Sequence, residues 1–141
     1  MLSPNGGEEF DAEDPLTVTW GAVVSIENVS ILLSIDSGDN FDLVISDTTS
    51  NDGSFEISSL PDGAVCDTCR IRICDTADTS TFDDSDGNFS INPSLRMSSP
   101  DGGEYWIEGN VYSITWAGSS EIENVMLLLS IDSGDNYMTP I

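Results

Sequence analysis

The 141-residue chain contains no histidine and no lysine; its only cations are Arg70, Arg72 and Arg96. Without imidazole or side-chain amines, the common general bases, Ser-His-Asp triads and Schiff-base chemistry are excluded, and no cysteine has an imidazole to activate it. No window carries a helical apolar period, so no glycine-rich phosphate loop opens a helix. The carboxylates are spread over turns with no implied cleft, which argues against glycoside hydrolysis and leaves a non-catalytic protein as the expectation. Long apolar runs are also absent. None approaches the roughly 18 residues of a membrane span, and no basic stretch followed by an apolar core opens the chain. The sequence therefore reads as not membrane-spanning, and as a mature product or an excised piece.

Against three cations stand 26 Asp and Glu residues, for a net charge of -23. A surface this negative repels nucleic acid and anionic lipid, which excludes nucleic acid as a partner. The 38% hydrophobic content is gathered into short runs, as packing rather than disorder requires. Lysine-free composition with abundant Asp, Ser, Thr, Asn and Gly fits secreted or cell-surface proteins in saline or calcium-bearing water. In that setting the sequons Asn28-Val29-Ser30 and Asn88-Phe89-Ser90 are candidate glycosylation sites.

The heptapeptide SIDSGDN occurs at Ser34–Asn40 and again at Ser130–Asn136, a spacing of 96 residues. At the same spacing SPNGGE (Ser3–Glu8) returns as SPDGGE (Ser99–Glu104), TVTW (Thr17–Trp20) as SITW (Ser113–Trp116), and IENV (Ile26–Val29) at Ile122–Val125. An ungapped period of 96 residues matches one small domain and is far too long for a solenoid coil or propeller blade. The expected organisation is one repeat over 1–92, a linker over 93–98, and the N-terminal half of a second repeat over 99–141, lacking counterparts of Ser46–Asn92.

Within the first repeat, apolar runs of four to seven residues alternate with Gly, Pro, Asp and Asn clusters, the strand-and-turn rhythm of an all-β sandwich. Strands are expected near Glu8–Phe10, at Leu16–Trp20, Val29–Ile35, Phe41–Ser46, around FEIS after the NDGS turn, at Cys69–Cys74 and at Asn88–Ile91, about seven in all. In CRIRIC the alternation sends Cys69, Ile71 and Ile73 to the core, and Arg70, Arg72 and Cys74 outward. Trp20 and Trp116 are expected to anchor the two cores.

This succession (SPNGGE, TVTW, NVSILLSIDSGDNF, NDGSFEI, CRIRICD, SDGNFSI) resembles the Ig-like repeats of the Ser-Thr-rich glycosylphosphatidylinositol-anchored membrane family, related to the N-terminal domain of yeast cell-wall glucan-synthesis proteins. The resemblance covers Ser3 to about Asn92 and the second copy as far as it runs. It implies an antiparallel Ig-like β-sandwich in tandem, serving as a scaffold, adhesin or fibre module. The acidity, the DSGDN loop and the cysteines depart from the family pattern.

Two readings of DSGDN stand side by side. Asp36, Asp39 and Asn40 offer oxygens to a calcium ion, as do Asp78, Asp83, Asp84 and Asp86 in the later acidic stretch, although neither has EF-hand spacing. Alternatively these are residues a tight turn demands, Asp and Asn bonding their own backbone. Cys66, Cys69 and Cys74 are one ligand short of a zinc site, and covalent haem would need His where Arg70 stands. A Cys66–Cys69 disulfide is the expectation, leaving Cys74 solvent-facing, either free or able to cross-link a neighbouring chain.

A sandwich missing half its strands exposes apolar face and strand edges. The expected partners are therefore neighbouring copies of the chain, assembled as filament or stalk, by strand complementation or as a window of a longer array. A cell-surface polysaccharide, stacked on Tyr105, Trp106 and Tyr137, is the competing expectation.

Overall fold

The computed structural model describes residues 1–137 and 139–140, and among them it contains strands, turns and loops but no helix. Met138 and Ile141, in the tail expected to follow the second hairpin, lie outside the described residues.

The first part of the chain supplies β1 (Glu9–Asp11), β2 (Leu16–Thr19), β3 (Asn28–Ser34), β4 (Leu43–Ser50), β5 (Ser54–Ile57), β6 (Cys66–Asp75), β7 (Phe82–Asp84) and β8 (Phe89–Asn92). A six-stranded sheet runs β1-β8-β6-β3-β4, with β7 beside β6, and β2 and β5 form a separate antiparallel pair. Period-two alternation drives this arrangement: in β2 Leu16 and Val18 are buried, in β3 Val29, Ile31 and Leu33, in β6 Cys69, Ile71 and Ile73. Together with Ile57, Phe89, Ile91 and Trp20 they form one core to which both sheets contribute. Each of these larger side chains contributes about 1.5–3 kcal/mol by leaving water. Gly6 meets Gly87 so closely that a Cβ on Gly6 would fall 2.8 Å from the Gly87 Cα, and this contact pins the N-terminal loop beside β8.

Three features differ from the sequence expectation. β1 joins β8 in parallel, so the sheet is mixed, because the chain returns to the same end of the sheet before β8. β7 forms within the acidic stretch, where Phe82 pairs opposite Cys74. The segment expected to be a plain linker carries β9 (Leu95–Ser99), which pairs with β10 (Thr115–Gly118).

The remaining strands are β11 (Leu128–Leu129) and β12 (Thr139–Pro140). Their register, Leu128 opposite Pro140 and Leu129 opposite Thr139, is the register of Leu32 with Val44 and Leu33 with Leu43, displaced by 96 residues. Likewise Ser99 pairs Thr115 as Ser3 pairs Thr19.

Candidate functional site

The DSGDN loop turns β3 into β4 through a closed set of local bonds. Ser34 Oγ donates to Asp36 Oδ1 at 2.7 Å and accepts from the Gly38 amide at 2.9 Å. The Asp36 carboxylate also accepts from the Asn40 amide at 2.9 Å and from Asn40 Nδ2 at 2.7 Å. Ser37 and Gly38 both take positive φ, 64° and 93°, which the sequence meets with a small polar residue and a glycine. The Asn40 side chain, then its amide, then Ser34 hold the Asp36 carboxyl down at about 2. At Asp132 the same bonds recur, and its carboxyl also lies at about 2, held first by the Asn136 side chain. The Asp36 oxygens are thus committed to the turn, and Asp39 is exposed beside it.

The acidic stretch after β6 does not converge either. Asp78 accepts from Ser80 Oγ at 2.6 Å and from the Ser80 amide. Asp83 pairs with the N-terminal ammonium of Met1. Asp84 pairs with Arg72, and Asp86 accepts from Asn5 Nδ2 at 2.9 Å. Each carboxylate has its own partner, which answers the mutual repulsion a bare cluster would suffer. Among the described residues no three Cys, Asp or Glu side chains come together in a way that could hold a metal ion.

On the outer face of the six-stranded sheet, Arg72 is the organising residue. Its guanidinium donates to Asp84 twice, Nε to Oδ1 at 2.7 Å and Nη2 to Oδ2 at 2.8 Å, and lies between the rings of Phe41 and Phe82 at 4.1 and 4.0 Å. Arg70 Nε donates to Asn88 Oδ1 at 2.8 Å, while Asn88 Nδ2 donates to Ser37 Oγ at 3.0 Å and so ties β8 to the DSGDN loop. The amide of this sequon is therefore engaged; Asn28, in the other, opens β3 half-buried. The Phe41–Arg72–Phe82 stack was not legible in the sequence, because Phe82 sits in a stretch that reads as loop.

Cys66 and Cys69 are disulfide-bonded, as the sequence led us to expect. Cys74 differs from expectation: it is on the outward face, paired with Ser30, yet only 5% exposed, its Sγ 2.9 Å from Ser30 Oγ. The neighbouring strands β3 and β7 flank β6 there and remove the thiol from solvent.

Trp20 is 7% exposed and donates from Nε1 to Asn51 Oδ1 at 2.7 Å, whereas Trp116, expected to be a second core anchor, is 43% exposed. Leu33 is fully buried and its counterpart Leu129 is 45% exposed. Trp106, Trp116, Met126, Leu128, Leu129 and Tyr137 leave a large apolar surface open, and a groove of about 550 Å³ runs between Met97, Trp106, Ile114, Leu127, Leu129 and Tyr137. Trp106 stacks on Tyr112 with centroids 5.0 Å apart, and Tyr105 stands exposed beside them.

No family model, curated protein or solved structure matches the chain.

Proposed function

We propose that this chain is a non-catalytic structural repeat of a secreted or cell-surface protein, a filament, stalk or adhesin subunit built from Ig-like sandwich modules at a 96-residue period. One observation carries the reading: positions buried in the first copy are open in the second, as Trp20 against Trp116 and Leu33 against Leu129 show. In the first copy those positions are covered by Ile57 of β5, Ile71 and Ile73 of β6, and Phe89 and Ile91 of β8. Strands of that kind close the second copy wherever they come from, the continuing chain of a longer array or a neighbouring molecule that joins the subunits by strand complementation. Light scattering on the purified chain tests this. The average mass should rise with concentration and return to the monomer value in Leu129→Asp, whereas a wild-type monomer at all concentrations would refute assembly.

The stacked Trp106–Tyr112 pair beside exposed Tyr105 favours a second reading, a carbohydrate-binding or cell-wall-attachment module. Glycan-array binding lost in Trp106→Ala would support it; no binding to any glycan would remove it.

A further inference from the structure

The junction between the two halves of the chain shows how one copy seats on the next, and the first copy repeats half of that junction with nothing on it. After β8, the amide of Glu13 donates to Ser94 Oγ at 3.0 Å. The Ser94 carbonyl accepts from the Ser119 amide at 3.1 Å, and the Ser94 amide donates back to Ser119 Oγ at 3.2 Å. Ser119 is only 8% exposed as a result. The loop Gly118–Glu121 faces Ala12, Glu13 and the turn at Ser58–Asp62 of the first copy across a pocket of about 260 Å³. Arg96 of β9 reaches back to Asp14 at 3.8 Å.

Subtracting the 96-residue period from Gly118–Glu121 gives Ala22–Ser25. The two loops share a local turn: Ile26 donates its amide to the Val23 carbonyl at 3.0 Å, and Ile122 donates to the Ser119 carbonyl at the same distance. In the first copy Asn51 Nδ2 donates to the Val23 carbonyl at 3.0 Å, but nothing covers the outer side of the loop. Val23 is 54% exposed, Val24 is wholly exposed, and the Val23 amide, counterpart of the amide that Ser119 gives to Ser94, has no acceptor among the described residues. Two adjacent exposed valines stand out on a surface this rich in charge, the Val23 amide is free to take an acceptor, and the Ser94–Ser119 contact shows what would cover them.

We infer that the Ala22–Ser25 loop is a docking surface for another copy of the same module, received by that copy's end formed by the counterparts of Ala12, Glu13, Ser58–Asp62 and Ser94. This rests on the modular reading above. It adds the contact through which successive modules stack, with the Val23 amide taking the linker carbonyl and Val23 entering the place that Ser119 fills.

Cysteine labelling tests it, because the native thiol Cys74 is buried and the other two cysteines are bonded to each other. In the chain as it stands, Val23→Cys should react with a maleimide at least about tenfold faster than Ser119→Cys. In a chain extended by a further copy of residues 1–96 placed ahead of Met1, which keeps the period because Met1 and Met97 are equivalent, Val23→Cys in the second copy should slow to the Ser119→Cys rate. Slow labelling of Ser119→Cys with Val23→Cys still fast in the extended chain would overturn the docking inference and leave the modular reading intact. Equal, fast labelling of both in the unextended chain would instead overturn the modular junction itself.

Discussion

Arg72 and Asp84 face each other across β6 and β7 in a fork of two parallel hydrogen bonds, 2.7 and 2.8 Å long, with the guanidinium held between two phenyl rings. In a chain of net charge -23 one of three cations is spent here, on the outer surface of the main sheet. Fork geometry and ring contact both depend on a planar guanidinium. Arg72→Ala should lower unfolding free energy by about 1–2 kcal/mol in urea titrations, and Arg72→Lys should restore less than half of the loss. Full restoration by lysine would show that charge alone matters.

The DSGDN turns predict a specific titration. Asp36 and Asp132 have folded pKa values of about 2, below the ordinary aspartate value near 3.9, so each turn stabilises the fold fully above about pH 4 and loses that contribution as pH falls through 2. Carboxyl carbon NMR should find both groups titrating near 2, and Asn40→Ala should move Asp36 alone up toward the ordinary value. An Asp36 pKa unmoved by Asn40→Ala would refute the assignment.

Calcium should have little specific effect, because Asp36, Asp78, Asp83, Asp84 and Asp86 already have separate partners. At matched ionic strength, melting in calcium and in chelator with sodium should agree within about 2 °C. A rise of many degrees with calcium over magnesium would reveal a site formed by carboxylates that do not converge in this structure.

The free thiol gives a further check. Cys74 should be inert to aromatic disulfide reagents in the native state and titrate as one thiol per chain on unfolding. Rapid native labelling would place it at the surface and restore its standing as a cross-linking residue.

The alternation in LTVTW, CRIRIC and most of VSILLSI matches the side chains that enter the core, because period two is a local property written in adjacent letters; it fails at Ile35, 44% exposed just past the end of β3. The 96-residue repeat likewise locates both DSGDN turns, in each of which the aspartate carboxylate accepts from the asparagine four residues on. What escaped was non-local. β7 exists only because β6 offers an edge to Phe82–Asp84, and Cys74 is buried by neighbours brought from 44 residues earlier in the chain and from across β7. β9 forms in the expected linker because Thr115–Gly118 lies beside it. Burial of Trp116 was read from its twin Trp20, but burial belongs to the covering strands and not to the tryptophan.

Amide hydrogen exchange over equivalent segments tests the modular reading most directly, by comparing Val29–Ser34 with Val125–Ser130 across a range of protein concentrations. In dilute solution the first segment should be strongly protected and the second should exchange much faster, gaining protection as concentration rises and strands are shared. Equal protection of both segments at every concentration, in a chain that stays monomeric, would contradict a second copy whose core residues 99–141 leave uncovered.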